Sequence, residues 1–248
     1  MGKNAEILEL RRVYKSFRSK NGGLKVLADI SLSVYAGEVI ALVGPSGCGK
    51  TTLLNIVAGL LDPDQGDVNQ KQGLRTAYIF QEPRLLPWKT VEANLSFVQH
   101  NFLLPSEAAE VRDNLLQRTG LEPYRNVYPA QLSGGMKQRL EIVRALSIRP
   151  QLLLMDEPFK SLDLALKYQL QELIFERHAE EKFAILLITH DPEEAVMQAD
   201  RIIVLTDKPT NIYREIIIDL PRRERSIKNP ELYQKLEEIL GFLLKKQQ

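Results

Sequence analysis

A single cysteine, Cys48, stands in a chain of 248 residues. No internal disulfide and no cysteine metal cluster is open to it, which fits a reducing compartment. Charge of one sign is also missing: 33 Lys and Arg against 32 Asp and Glu leave a net charge of +1, without the global basic field that gathers nucleic acid. No apolar run approaches the ~18 residues that suggest a membrane span. The opening Met1-Gly2-Lys3-Asn4-Ala5-Glu6 has no apolar core for a secretory signal, and Glu6 stands where myristoylation needs Ser or Thr. The expectation is a soluble protein that serves a membrane, if at all, through a partner. Histidine is scarce, with only His100, His178 and His190. There is no internal repeat, and the length suits one large α/β domain or one domain with an inserted lobe.

What the chain does have is Gly44-Pro45-Ser46-Gly47-Cys48-Gly49-Lys50-Thr51-Thr52, which fits the phosphate-loop pattern G-x-x-x-x-G-K-[ST]. Residues 38–43 ahead of it read as a buried strand of a parallel sheet, and residues 53–59 behind it as a helix that stops at a glycine. Strand, loop and helix are the context the pattern requires. The glycines let successive N–H groups face a polyphosphate, and the helix N-terminus adds partial positive charge. Lys50 then reaches the β- and γ-phosphates, and the Thr51 hydroxyl ligates Mg2+. Cys48 reads as a small packing residue, or else as a thiol whose modification blocks nucleotide; the first reading is favoured.

Residues 7–13 and 26–34 read as paired strands joined at Asn21-Gly22-Gly23, a flap beside the nucleotide. On it Phe17, with Tyr14 as a second candidate, could offer a ring face to adenine. Residues 62–66 read as a turn, and 76–80 as a strand that delivers Gln81 to the crevice where α/β proteins bind ligands. There Gln81 could contact a metal and orient a water. From Val91 to Arg149 the pattern is helical, with helices at 91–99, 106–119 (capped by Ser106) and 136–148, read as a lobe inserted into the core. Ser133, Gly134 and Gly135 before the third helix form a second anion site.

The strand at 151–155 ends in Asp156 and Glu157, expected at the sheet edge where Lys50 and Thr51 emerge. Asp156 would hold Mg2+ through water, and Glu157 would act on the attacking water as base or polariser. Ser161-Leu162-Asp163 opens a helix to about Glu181, and the strand at 184–189 delivers His190, placed to touch the γ-phosphate. Residues 200–205 and 212–218 read as closing strands. The charged turn 221–225 reads as solvated surface in preference to a nucleic-acid or lipid-headgroup patch. The amphipathic helix from Pro230 packs on its own core by default, with a regulatory or dimer contact as the alternative.

Six of these elements, in this order, closely resemble the ATP-binding cassette (ABC) family over nearly the whole chain: the phosphate loop, Gln81, Leu132-Ser133-Gly134-Gly135 with Met136-Lys137-Gln138-Arg139, Asp156-Glu157, Ser161-Leu162-Asp163, and His190. The resemblance implies an α/β fold: a P-loop NTPase (RecA-like) core at 1–87 and 150–220, an antiparallel β flap, an inserted α-helical subdomain at 88–149, and a helical tail at 221–248. It implies an ATPase working as a head-to-tail homodimer, with two ATP sandwiched so that Ser133 and Gly135 act in trans, and with Phe17 as the adenine-stacking aromatic. Gln81 and the segment after it would couple the nucleotide to an integral-membrane permease at the cytoplasmic face of the inner membrane. Residues 80–88, 205–209 and 220–223 look like the nitrate, taurine and alkanesulfonate importers, in which a solute-binding receptor selects the substrate. One alternative is a soluble ABC ATPase acting on nucleic acid, which would call for a coiled-coil insertion, a second cassette or a basic face, and none is visible; another is a non-hydrolysing regulator, which the presence of Lys50, Glu157 and His190 disfavours.

Two positions depart from the pattern. Lys160 stands where many relatives carry a small residue, as an intersubunit contact or, favoured, a solvated charge. Thr210 follows Pro209 where this branch often has glycine.

Overall fold

A computed structural model describes residues 5–19, 22–160 and 162–245. Along the chain run β1 (Glu6–Ser19), β2 (Gly22–Tyr35), β3 (Val39–Val43), α1 (Lys50–Val57), β4 (Gln65–Gln70) and β5 (Thr76–Ile79). Three helices follow, α2 (Val91–Gln99), α3 (Pro105–Arg118) and α4 (Gly134–Leu146), then β6 (Leu152–Asp156) and α5 (Leu164–Glu181). The last elements are β7 (Ala184–Ile188), α6 (Pro192–Gln198), β8 (Arg201–Leu205), β9 (Ile212–Ile217) and α7 (Pro230–Lys245). Among the described residues no helix is long and apolar enough to cross a membrane.

The chain divides into two compact units, one made by the residues up to Leu74 with those from Ala184 onward, the other by Arg75–Phe183. In the first unit β3 is flanked by β7 and β8, both parallel to it, and β9 closes the edge antiparallel to β8. β3 and β7 are buried at all five positions, as unbroken runs of Val, Ile, Leu and Ala must be when helices cover both faces of a parallel sheet. Beside this sheet β2, β1 and β4 form an antiparallel three-stranded flap. Register shifts and positive φ at Arg12 and Asp29 interrupt the β1–β2 ribbon, the local twist that bulges produce.

β4 lies where the sequence reads a turn that ends at Gly66. Val68 is its one large apolar residue, and five of its six positions are exposed, so it has no hydrophobic period to detect. The strand exists because β1 offers it a partner, with Leu10 opposite Val68. The flap strands are also longer than their alternation suggests, because backbone pairing continues past the apolar residues.

In the second unit β5 and β6 pair in parallel, and α2, α3 and α4 intervene between them in sequence. α3 starts one residue earlier than expected, and Ser106 does not cap it: Leu104 is the N-cap without a side-chain bond, and Pro105 takes the first helical position. Proline suits that position because its missing N–H would have had no helical partner there. α4 starts at Gly134, two residues before the apolar pattern begins, because the Ser133 hydroxyl accepts the Met136 N–H at 3.3 Å.

Candidate functional site

The phosphate loop joins β3 to α1 inside the first unit. Gly47 and Gly49 hold φ of +73 and +122, values that glycine reaches and other L-residues rarely do. A Cβ on Gly49 would sit 2.8 Å from Val26 Cγ1 and 3.2 Å from Leu27 Cδ2, so the loop packs directly on β2. Lys50 is 7% exposed, and its Nζ donates to the Gly44 and Pro45 carbonyls at 2.8 and 2.9 Å. The ammonium is therefore held against the loop it serves, at the N-terminus of α1. Cys48 is buried, and burial pushes its thiol above the usual range against the opposing charge of Lys50.

Phe17 is near the end of β1, opposite Leu24, and is 40% exposed. Tyr14, the other aromatic candidate, pairs with Gln65 of β4, and its carbonyl accepts the Asp64 N–H at 2.8 Å, which ties it into the flap. Lys15 and Ser16 before the ring are fixed by Asp64, which accepts from Lys15 Nζ at 2.7 Å and from the Ser16 N–H at 2.6 Å. Lys15 lies 5.8 Å from the Phe17 ring centre. Leu24 is three residues before Leu27, which touches the back of Gly49, so the strand sets the Phe17 pair roughly 10 Å from the phosphate loop. That spacing suits a base at one end of a nucleotide and phosphates at the other.

His190 follows β7 in the same unit and is exposed. The turn under it is ordered: Asp191 Oδ1 accepts the Glu193 and Glu194 N–H groups at 3.0 and 3.3 Å and starts α6. Thr189 Oγ1 accepts the Asp191 N–H at 3.1 Å.

The second unit carries the other set. Asp156 ends β6 and is buried, and Glu157 follows with φ +45. A left-handed non-glycine costs about 1–3 kcal/mol and is retained mainly at functional sites. The Glu157 carboxylate pairs with Lys160 Nζ at 2.7 Å, with the Lys160 side chain about half exposed. Gln138 of α4 donates to the Pro158 carbonyl at 2.8 Å, and Leu166 of α5 comes so close that a Cβ on Gly135 would be 2.9 Å from its Cδ2. The helix behind Ser133-Gly134-Gly135 is thus tied to the segment behind Glu157. Ser161 lies outside the described residues; Asp163 after it caps α5 through the Leu166 N–H at 3.0 Å.

Gln81 is exposed at the end of β5. The segment after it is pinned from the helices. Asn94 accepts the Leu86 N–H at 2.9 Å and donates to the carbonyls of Leu86 and Lys89, and Arg144 of α4 donates to the Arg84 carbonyl at 2.8 Å. Arg84 lies 3.9 Å over the Phe80 ring, which stacks on Tyr78 at 4.0 Å. Burial, with the Asp156 carboxylate, pushes the Tyr78 phenol up. Phe80, Lys89, Phe97, His100, Phe102 and Arg144 line a groove of about 840 Å³.

Residues 27–160 match the family model described as "ABC transporter". The nitrate import ATP-binding protein of Synechococcus elongatus is 39% identical over 256 residues, covering 98% of this chain and 93% of that protein. The chain belongs to the ABC transporter family. It is also 43% identical to an aliphatic sulfonates import ATP-binding protein of Pseudomonas syringae, over 84% of this chain and 88% of the relative. Among solved structures, a dimeric post-hydrolysis ATP-binding cassette bound to ADP and phosphate superposes with a TM-score of 0.77 at 27% identity, over 87% of this chain and all of that one. As an ABC ATP-binding protein the chain binds ATP and is an ATPase.

The sequence reading did not single out Asp64, Asn94, Glu141 or Arg144 as supports of the site. Glu141 is fully buried and pairs with Arg144 at 2.6 Å, and burial pushes its carboxyl up despite that partner. A charged residue in the apolar stretch 140–146 was the available signal, since a buried carboxylate in a helix needs a partner.

Proposed function

We propose that the chain is the motor subunit of an importer, hydrolysing ATP to drive a small solute of the nitrate, sulfonate or taurine kind through a membrane permease. The observation that carries the reading is the likeness, over nearly the whole chain, to proteins named for nitrate and sulfonate import. The reading draws further support from the ordered groove beyond Gln81, whose aromatic and cationic walls suit a helix of a permease. Two copies meet head-to-tail at the cytoplasmic face of the membrane, and a separate receptor selects the solute.

Each residue then has a task. The amides of the loop from Gly44 to Thr52 and the Lys50 ammonium hold the phosphates, and Phe17 stacks on adenine. Ser133 and Gly135 of one copy close on the nucleotide of the other, the cap bond at Ser133 leaving its O–H able to donate. Glu157 takes a proton from the attacking water, while Gln81 orients that water and His190 contacts the γ-phosphate.

The donors offered to a metal are hard oxygens: the Thr51 hydroxyl, the Asp156 carboxylate and the Gln81 amide. Among the described residues no group of three or more His, Cys, Asp or Glu could hold an ion. So sparse a set fits Mg2+, which keeps waters and shares substrate phosphates, better than a metal needing a full protein cage. When bound, Mg2+ neutralises charge developing on the β- and γ-phosphates.

The test is the solution mass of the Glu157→Gln protein by light scattering, with and without ATP and Mg2+. An ATP-dependent doubling from 28.3 kDa supports the reading. A monomer that binds ATP both alone and with detergent-solubilised permease contradicts the two-subunit mechanism.

A further inference from the structure

We infer that Thr210 is a positioning residue for the phosphate loop, aiming one of its amides at the nucleotide from behind. The inference rests on the reading that this loop holds the phosphates of ATP.

Thr210 is fully buried and is held on both sides of its backbone by β2. Its N–H donates to the Val26 carbonyl at 2.8 Å, and its carbonyl accepts the Ala28 N–H at 2.8 Å. The residue is thereby locked in register with Leu27, although it belongs to the connection between β8 and β9. From that fixed base its hydroxyl donates to the Cys48 carbonyl. Oγ1 would also lie 3.6 Å from a Cβ on Gly49, so the side chain fills the space directly behind the loop.

The consequence follows from peptide planarity. In a trans peptide the carbonyl of one residue and the N–H of the next point in opposite directions. Holding the Cys48 carbonyl toward Thr210 turns the Gly49 N–H to the other side, away from β2. Gly49 needs this help because it has no side chain and sits at φ +122, where it could swing its peptide at little steric cost. A glycine amide that must face an anion is best preorganised, since binding then does not have to order it. Glycine at position 210 could supply the backbone bonds to β2 but not the hydroxyl.

The experiment compares the parent with Thr210→Val, Thr210→Ala and Thr210→Ser in the full chain. Thermal unfolding is measured together with the affinities for Mg-ATP and for tripolyphosphate, and with kcat and KM. Val keeps the shape, Ala removes it, and Ser restores the donor. We expect Val and Ala to weaken both ligands about tenfold, close to 1.4 kcal/mol of lost alignment, with the change in KM rather than kcat. Ser should stay within about twofold of the parent. A support that only stabilises the fold would lower the unfolding temperature and leave the affinity of the folded protein for tripolyphosphate unchanged, and that result overturns the inference. So does weakening in Ser equal to that in Val. Should Val not fold, the Ala and Ser pair decides alone. A parent that binds neither ligand would refute the phosphate-loop reading itself, a result distinct from unchanged affinities in the variants.

Discussion

Two glycines two residues apart in the phosphate loop should respond very differently to a single added methyl group. A Cβ on Gly47 meets nothing within 4 Å, so Gly47→Ala suffers only from φ +73, a left-handed penalty of about 1–2 kcal/mol. A Cβ on Gly49 is forced to 2.8 Å from Val26 Cγ1 at φ +122. Backbone strain of about 1–3 kcal/mol then adds to overpacking of about 1–3 kcal/mol. The Gly49 variant therefore loses some 2–6 kcal/mol on those two principles, a large part of the roughly 5–15 kcal/mol a domain has. Part of that loss is relieved by moving the loop, which spoils its amides. Thermal unfolding and ATP affinity should both fall much further for Gly49→Ala than for Gly47→Ala. Val26→Ala removes the atom in the way, so in a double-mutant cycle it should be less harmful in the Gly49→Ala background than in the parent by about 1–2 kcal/mol. If Gly49→Ala behaves like Gly47→Ala, or the cycle shows no coupling, the packing of the loop on β2 is not what holds it.

Burial pushes the Glu141 carboxyl above its ordinary range, so the folded chain holds that proton more tightly than the unfolded chain does. Its contribution to stability is fully present below the ordinary carboxylate range and is lost as pH rises from that range through the raised value of the folded chain. Glu141→Gln should flatten that part of the stability-versus-pH curve, measured by urea unfolding between mildly acid and neutral pH; an unchanged slope would count against it. The Lys160–Glu157 pair, with Lys160 about half exposed, must open for Glu157 to hold a water. A partly exposed pair is worth about 0.2–1 kcal/mol, so Lys160→Met should raise basal turnover by up to about fivefold and weaken its salt dependence. A fall in phosphate release would mean that Lys160 assists the base.

The parts of this protein that could be read from sequence are those whose chemistry is local. Val39–Val43 can only be a strand covered on both faces, and Gly44 to Thr52 can only curl as they do because glycine sits where φ turns positive. Asp163 announces a helix because a carboxylate before a helical run caps it, whereas the short helix that Asp191 caps is not among the sequence expectations. What escaped was decided by partners distant in the chain. β4 has no apolar pattern and forms because β1 is beside it. Thr210 reads as a departure from a pattern until its hydroxyl is found on a carbonyl 162 residues away. Glu141 and Arg144 look like one helix-surface ion pair, yet Glu141 is buried and Arg144 is tied to the segment after Gln81. Lys160 pairs with Glu157 three residues before it, where the backbone turns left-handed, a local geometry that residue type alone does not reveal.

In the proposed mechanism Glu157 performs the cleavage step on a nucleotide held independently by the phosphate loop. The direct test is single-turnover phosphate release by the purified protein and its Glu157→Gln variant, with ATP affinity measured on the same samples. Affinities should lie within a few-fold of each other, and release should be slower by at least about a hundredfold in the variant, within the range that general base catalysis supplies. Equal release rates would show that another group activates the water and that Glu157 is not the base.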